Sequence, residues 1–267
     1  MKTGALAPSS QAQRDDVATV SAACVFAATL AALCHETIGH GVGCLAVGGQ
    51  ITLLTSIWFR CHGATSLTDA GGGIASVVFG AVALKIPPTL IRNPPLRLSL
   101  LVFGSISLFW FAAQLVDHAA FDRDDWHFIA LRMHWPWVWR PLMVGLGVVA
   151  YAAVMRWTYL RLRDAAAPGA LAIWRAYVAS AGSAALAGLM WPIEPVRSAI
   201  EALLTLGVAP LGLLVAAGLA RSSPERAGTR AIARSWSLIA ISLVLFATFV
   251  LVQGRGLGPL SDAALHR

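Results

Sequence analysis

Charged residues are scarce in this chain. Asp, Glu, Lys and Arg account for 12% of its 267 residues, whereas hydrophobic residues account for 57% and the mean hydropathy is +0.69. An average soluble domain is about 25% charged. A water-soluble globule could not bury this much apolar surface, so the composition excludes a soluble globular protein. It predicts an integral membrane protein, with the lipid bilayer as a partner.

The chain also lacks a long polar stretch between residues 17 and 253, and it lacks an internal repeat of fixed period. The first absence excludes a separate soluble module. The second argues against a transporter built from inverted repeats. We therefore divide the chain into a polar N-terminal segment, 1–16, a membrane core that carries the polar motifs, 17–130, and additional transmembrane helices of the same domain, 131–267.

Cysteine is rare as well. Four cysteines are too few for a disulfide framework, and three of them lie in or beside the first apolar block. We interpret all four as small buried hydrophobic residues.

What remains is apolar sequence in blocks, and a spanning helix needs about 20 mostly apolar residues. Prolines break the chain between several of these blocks. The prediction is an all-α polytopic membrane protein of about seven transmembrane helices. The predicted spans are 17–46, 71–87, 97–120, 139–160, 171–191, 197–220 and 234–253.

One segment does not fit this pattern. Residues 48–62 are rich in β-branched and aromatic residues, follow a Gly-Gly pair and are too short to span. They predict a short strand or hairpin at about 50–60, at the membrane edge. Its backbone must pair with protein, because unsatisfied amides are costly in lipid. It would pack over a site or pair with an extended substrate.

The net charge of +7 does not indicate a nucleic-acid partner, because the basic residues sit in short clusters between apolar blocks. With the N-terminus inside and seven spans, 13 of the 20 Lys and Arg residues fall on the inside. The seven outside are Arg60, Arg123, Arg132, Arg140, Arg197, Arg255 and Arg267. This distribution favours an inside N-terminus and places the end of the first helix outside.

Ionisable residues inside a span are costly and by default functional. His35, Glu36 and His40 lie at the end of the first apolar helix, and two imidazoles with a carboxylate suit zinc. The histidines are five residues apart, about 140° around an ideal α-helix, which is too wide for one ion. A shared metal therefore predicts a π-bulge or distorted turn at Thr37–Gly39.

Two alternatives need no bulge. Glu36, His40 and Cys44 share one face of a regular helix and could bind a metal with different roles. Otherwise the polar groups would only hydrogen-bond neighbouring helices. For a further ligand, the densest ionisable cluster of the chain, 117–127, follows the third helix, whose C-terminal end lies on the same membrane face as that of the first.

The motif HETIGHGVGCLAVGG, starting at His35, resembles the first-helix motif of the site-2 protease family of intramembrane zinc metalloproteases, especially divergent bacterial members. GGGIASVVFGAVAL, 71–84, resembles the glycine-rich helix that follows in that family, and Asp124-Asp125-Trp126 resembles its Gly-Asp-Trp. The resemblance covers about 20–130. It implies an integral membrane protein, expected in a bacterial inner membrane.

By this resemblance His35, His40 and Asp125 would bind Zn²⁺, and Glu36 would activate the water that hydrolyses a peptide bond of a transmembrane protein or peptide. Failing Asp125, the ligand would be Asp124, Asp122, His118 or His62.

Two features depart from the family. An Asn-Pro usually lies close before the family's aspartate, but the only asparagine here, Asn93, lies with Pro94 before the third predicted span and far from Asp125; Gln114 would then hold substrate backbone. The family also places its zinc near the cytosolic face, opposite to the charge distribution. The rival functions are a transporter or permease with His35, Glu36 and His40 on an ion or proton path, and a non-catalytic membrane protein with a structural metal.

Overall fold

A computed structural model describes residues 15–122, 124–132, 136–164, 170–222 and 231–259. Ten α-helices, two π-helical segments and one hairpin follow in chain order within these ranges. The α-helices are α1 Val17–Ala32, α2 Val42–Ala46, α3 Ser66–Lys85, α4 Pro94–Phe121, α5 Asp124–Arg132, α6 Pro136–Asp164, α7 Ala170–Leu189, α8 Pro195–Leu203, α9 Leu211–Arg221 and α10 Trp236–Val252. The all-α prediction is confirmed.

Each predicted span contains helix, and five helical stretches among the described residues are long and apolar enough to cross a membrane. They are Val17–Ala46, Ser66–Lys85, Pro94–Phe121, Trp137–Arg163 and Pro195–Arg221. Of the other two predicted spans, α10 has 17 residues and α7 is not among the five. Membrane insertion is therefore supported by length and composition, and a count of seven spans stays a prediction.

Helix α4 lies at the centre of the bundle and packs against α1, α3 and α6. It begins at Asn93, whose side-chain oxygen accepts a hydrogen bond from the Leu96 amide at 3.3 Å, and Pro94 takes the first helical position. Phe109 and Trp110 of α4 are almost completely buried. α3 approaches α4 closely at Gly80 and Gly104, because neither residue has a side chain. A Cβ on Gly104 would stand 2.8 Å from the Gly80 carbonyl oxygen, so this is a small-residue contact of the kind that membrane helices use.

The predicted hairpin is present after the first helix. Strand β1, Gln50–Leu54, pairs antiparallel with β2, Phe59–His62, with Gln50 opposite His62 and Leu54 opposite Phe59. Leu54 also exchanges two backbone hydrogen bonds of 2.8 Å with Leu257. The backbone of this segment is thus paired with protein, as its position at the membrane edge requires.

The interpretation of all four cysteines as buried hydrophobic residues is wrong for two of them. Cys44 of α2 and Cys61 of β2 form a disulfide with an S–S distance of 2.04 Å, while Cys24 and Cys34 are free and buried. The bond ties the hairpin to the end of the first helix. Two cysteines 17 residues apart become neighbours because the chain turns back after α2.

Candidate metal centre

The first helix changes from α to π geometry over Leu33–Gly41, which confirms the predicted distortion and extends it over nine residues. In a π-helix, residue i+5 takes the place that residue i+4 has in an α-helix. His35 and His40 therefore lie on the same side, and their Nε2 atoms are 3.2 Å apart. Both histidines are buried.

Asp125, in the first turn of α5, completes a triangle with the two histidines. Its Oδ2 is 3.2 Å from His40 Nε2 and 3.7 Å from His35 Nε2. A point equidistant from the three atoms lies about 2.0 Å from each of them, and zinc binds imidazole nitrogen at about 2.0–2.1 Å and carboxylate oxygen at about 2.0–2.2 Å. The three atoms thus have distances that fit one zinc ion.

The other nitrogen of each ring is held by a partner on α3. His40 Nδ1 lies 2.8 Å from the backbone carbonyl oxygen of Thr68 and donates to it, so Nε2 is the nitrogen that would bind a metal. His35 Nδ1 lies 3.0 Å from Ser76 Oγ. Such partners fix ring orientation and tautomer in metal sites.

Aromatic rings hold the imidazoles from the sides. The Trp110 ring stacks on His35 with 4.0 Å between ring centroids, and Phe59 of the hairpin stacks on His40 at 5.4 Å. The hairpin therefore packs over the site, which is one of the two roles expected for it.

Glu36 is buried next to the first histidine, with 3% of its surface exposed. Its carboxylate acts electrostatically on His40. A carboxylate next to two histidines that could hold a metal would serve as a proton acceptor for a water there.

Asp125 lies outside the candidate spans, and its side chain is 23% exposed. Burial raises the pKa of its carboxyl, but the charge of His40 and the hydrogen bonds with both histidines lower the pKa more, so it lies below its usual range. The group is therefore an ionised carboxylate at neutral pH, the form that binds a cation.

Gly72 of α3 faces the centre of the triangle. A Cβ there would stand 2.3 Å from His40 Nε2 and 2.4 Å from His35 Nε2. A zinc ion would lie at nearly these distances from the same atoms. Gly39 has a related role, since a Cβ on it would meet the Gly71 carbonyl oxygen at 2.6 Å. Glycine at these positions lets α3 approach the π-helical segment.

Gln114 of α4 reaches the same centre. Its Nε2 is 3.4 Å from His35 Nε2 and 3.4 Å from Asp125 Oδ2, while its Oε1 is buried without a hydrogen-bond partner among the described residues. An unpaired buried oxygen beside the three ligand atoms fits a site that takes a cation, a water or a polar group of a ligand.

The remaining candidates lie elsewhere. His62 is exposed at the end of β2, His118 Nδ1 accepts a 3.3 Å hydrogen bond from the Trp126 amide, and Asp122 pairs with His127 and Arg140. The Asp124 side chain lies outside the described residues. The Glu36, His40 and Cys44 ligand set is contradicted, because the Cys44 sulfur is in the disulfide.

Sequence reasoning missed Ser76, the Thr68 carbonyl and the role of Gly72. A signal for Gly72 was present in the Gly71-Gly72-Gly73 run. Glycine within a helix costs about 1 kcal/mol each relative to alanine, so three in succession indicate a close approach by something else.

Comparison of the chain with models of protein families, with curated proteins and with solved structures gives no match. The resemblance to site-2 proteases therefore depends on the motifs alone, and we infer a function from the geometry of the site.

The contact between Ser76 and His35 leads to a testable expectation. Ser76→Ala removes the partner of His35 Nδ1, so the ring loses its fixed orientation, and zinc affinity should fall about 10–100-fold. Competition with a chromophoric chelator measures this. Ser99→Ala is the matched control, because Ser99 is equally buried in α4 but bonds only to the Pro95 carbonyl. Equal affinities of the two variants would contradict the orienting role of Ser76.

Proposed function

We propose that the protein is an integral membrane zinc peptidase that hydrolyses a peptide bond in or near the bilayer. The observation that carries the proposal is the triangle of His35 Nε2, His40 Nε2 and Asp125 Oδ2, which fits one zinc ion; Glu36, the residue next to His35, is buried as well. Two nitrogens, one carboxylate oxygen and an open fourth position are the ligand set of a catalytic zinc.

The donor set favours zinc over harder cations. Mg²⁺ and Ca²⁺ prefer six or more oxygen ligands, whereas the ligand atoms here are two imidazole nitrogens and one oxygen. When bound, zinc would supply Lewis-acid polarisation of a carbonyl and would lower the pKa of a water towards 7.

The residues of the chain then have separate roles. His35, His40 and Asp125 hold the metal, and Glu36 accepts a proton from the attacking water. The water oxygen bonds to the carbonyl carbon, the C–N bond breaks, and Glu36 returns the proton to the leaving amine. The amide of Gln114 lies where it could hold the substrate backbone.

Apolar surroundings define the substrate class. The site lies where Trp110 and Phe59 cover the two histidines, and the helices that carry it are apolar. An extended hydrophobic segment of a membrane protein or peptide is the substrate that these surroundings suit.

Metal analysis of the purified protein tests the metal half of the proposal. The wild type should hold close to one zinc per chain, His40→Ala should lose it, and Asp125→Asn should bind it more weakly because the amide carries no charge. His62→Ala is the matched control, since this histidine is exposed on β2 and away from the triangle.

Retention of zinc in His40→Ala would contradict the ligand set. Absence of any bound metal in the wild type, with a proton or ion flux across reconstituted vesicles, would favour the transporter function instead.

A further inference from the structure

Several contacts show which segments of the chain lie around the metal centre. Gln253, after α10, accepts a 3.0 Å hydrogen bond from Thr37 and donates one of 2.8 Å to the Thr55 carbonyl. The Arg197 guanidinium, at the start of α8, lies 4.5 Å from the Trp58 ring centroid. We call this the metal end of the bundle: the end of the first helix, the hairpin 50–62, the start of α8 and residues 253–257.

A second set of contacts defines the opposite end. The Asp16 amide, before α1, donates a 2.8 Å hydrogen bond to the Ile232 carbonyl, and Arg234 pairs with the Asp16 carboxylate at 3.0 Å. Arg161 of α6 donates to the Ile86 carbonyl after α3. The start of α1 therefore lies next to the approach to α10, and the end of α3 next to the end of α6. Because α1 ends and α3 begins at the metal, both pairs are one helix length away from it.

The disulfide lies at the metal end. Cys44 follows His40 by one helical turn, and Cys61 is in the hairpin that packs on His40. Disulfides persist in oxidising compartments and are rare in the reducing cytosol. Both free cysteines of the described residues, Cys24 and Cys34, are buried within the first helix. The bond therefore indicates that the metal end faces an oxidising, non-cytoplasmic compartment.

The basic residues give the same answer independently. The opposite end carries Lys85, Arg92, Arg97, Arg161, Arg163 and Arg234 in short loops or helix ends, the pattern of a cytoplasmic face. The metal end carries fewer basic residues, with five arginines among the described residues: Arg60, Arg132, Arg140, Arg197 and Arg255.

We propose that the metal centre lies at the non-cytoplasmic face of the membrane, with the N-terminus of the chain inside. This is the opposite side from the one that the site-2 protease resemblance implies. For the peptidase, and so resting on the proposed function, the substrate class becomes membrane segments that are exposed to the oxidising side. The disulfide holds the hairpin over His40 on that side.

Thiol labelling from each side of the membrane tests the orientation. Ser66→Cys, exposed at the start of α3, reports the metal end, and Ser222→Cys, exposed after α9, reports the opposite end. An impermeant maleimide should label Ser66→Cys in right-side-out vesicles and Ser222→Cys in inside-out vesicles. The wild type is the blank, because its free cysteines are buried. The reversed pattern, or equal labelling of both variants in both vesicle types, would overturn the proposal.

The wild-type protein supplies a second readout that needs no substitution. Alkylation of denatured, unreduced protein should modify two of the four cysteines, and all four after reduction. Four modified cysteines without reductant would mean that the disulfide is absent, and this would contradict the proposal. Neither readout involves zinc or cleavage. If the protein binds no metal, the peptidase proposal fails, and the labelling and alkylation results still decide the orientation.

Discussion

Gly72→Ala is expected to empty the metal centre. The added methyl would stand 2.3 Å from His40 Nε2 and 2.4 Å from His35 Nε2, which is the space that the ion itself needs. The histidines cannot withdraw easily, because each is held through its other nitrogen and stacked on an aromatic ring. Zinc affinity should fall by more than the roughly 100-fold that is typical of losing a hydrogen-bond partner of a metal ligand.

This substitution should affect metal binding without weakening helix α3. Alanine has a higher helix propensity than glycine by about 1 kcal/mol, so α3 itself is not weakened. Gly145→Ala in α6 is the matched control, because no atom lies within 4 Å of the Cβ position there. Zinc per chain and a chelator titration measure the effect in detergent. If Gly72→Ala binds zinc like Gly145→Ala, the metal does not lie between the two histidines and Gly72.

The π-helical turn could be predicted from sequence because it follows from one spacing. Histidines five residues apart cannot share an ion on an α-helix, and the structure has a π-helix at that place. The helices and the hairpin were predictable in the same way, because apolar blocks, prolines and a β-branched segment are local signals.

The remaining parts of the site depend on approaches between distant segments. Ser76 contacts His35 because α3 packs against the π-helical segment, and the Cys44–Cys61 bond forms because the hairpin folds back. α5, which carries Asp125, was expected only as a cluster of ionisable residues after the third helix. No local pattern encodes these contacts, although the three glycines of α3 marked the surface where two helices meet.

Burial of His35, Glu36 and His40 among apolar helices has an energetic consequence. Isolated ionisable groups in such surroundings are costly, and here ligand atoms of His35 and His40 lie within 4.8 Å of a carboxylate oxygen of Asp125. A divalent cation would neutralise the two carboxylates and use the lone pairs of both imidazoles. The proposed metal centre would thus offset the cost of burying these ionisable groups.

Glu36→Gln is expected to abolish most of the peptidase activity while zinc stays bound. Glutamine has the shape of glutamate but cannot accept a proton at neutral pH, and loss of a general base costs typically 10²–10⁴-fold in rate. The three proposed ligands are untouched, so zinc content should equal that of the wild type. A mixture of hydrophobic peptides in H₂¹⁸O, analysed by mass spectrometry, measures hydrolysis because each new carboxyl terminus carries the heavy oxygen.

The same substitution at Glu194 is the control, since this residue lies at the metal end but pairs with Arg197 on the surface. Glu194→Gln should cleave like the wild type. Unchanged cleavage in Glu36→Gln would remove Glu36 from the reaction. Loss of both zinc and cleavage would make Glu36 a metal ligand instead of a base, because a residue that only accepts the proton of water leaves the metal in place. Retained zinc with lost cleavage is the one result that the proposed mechanism requires.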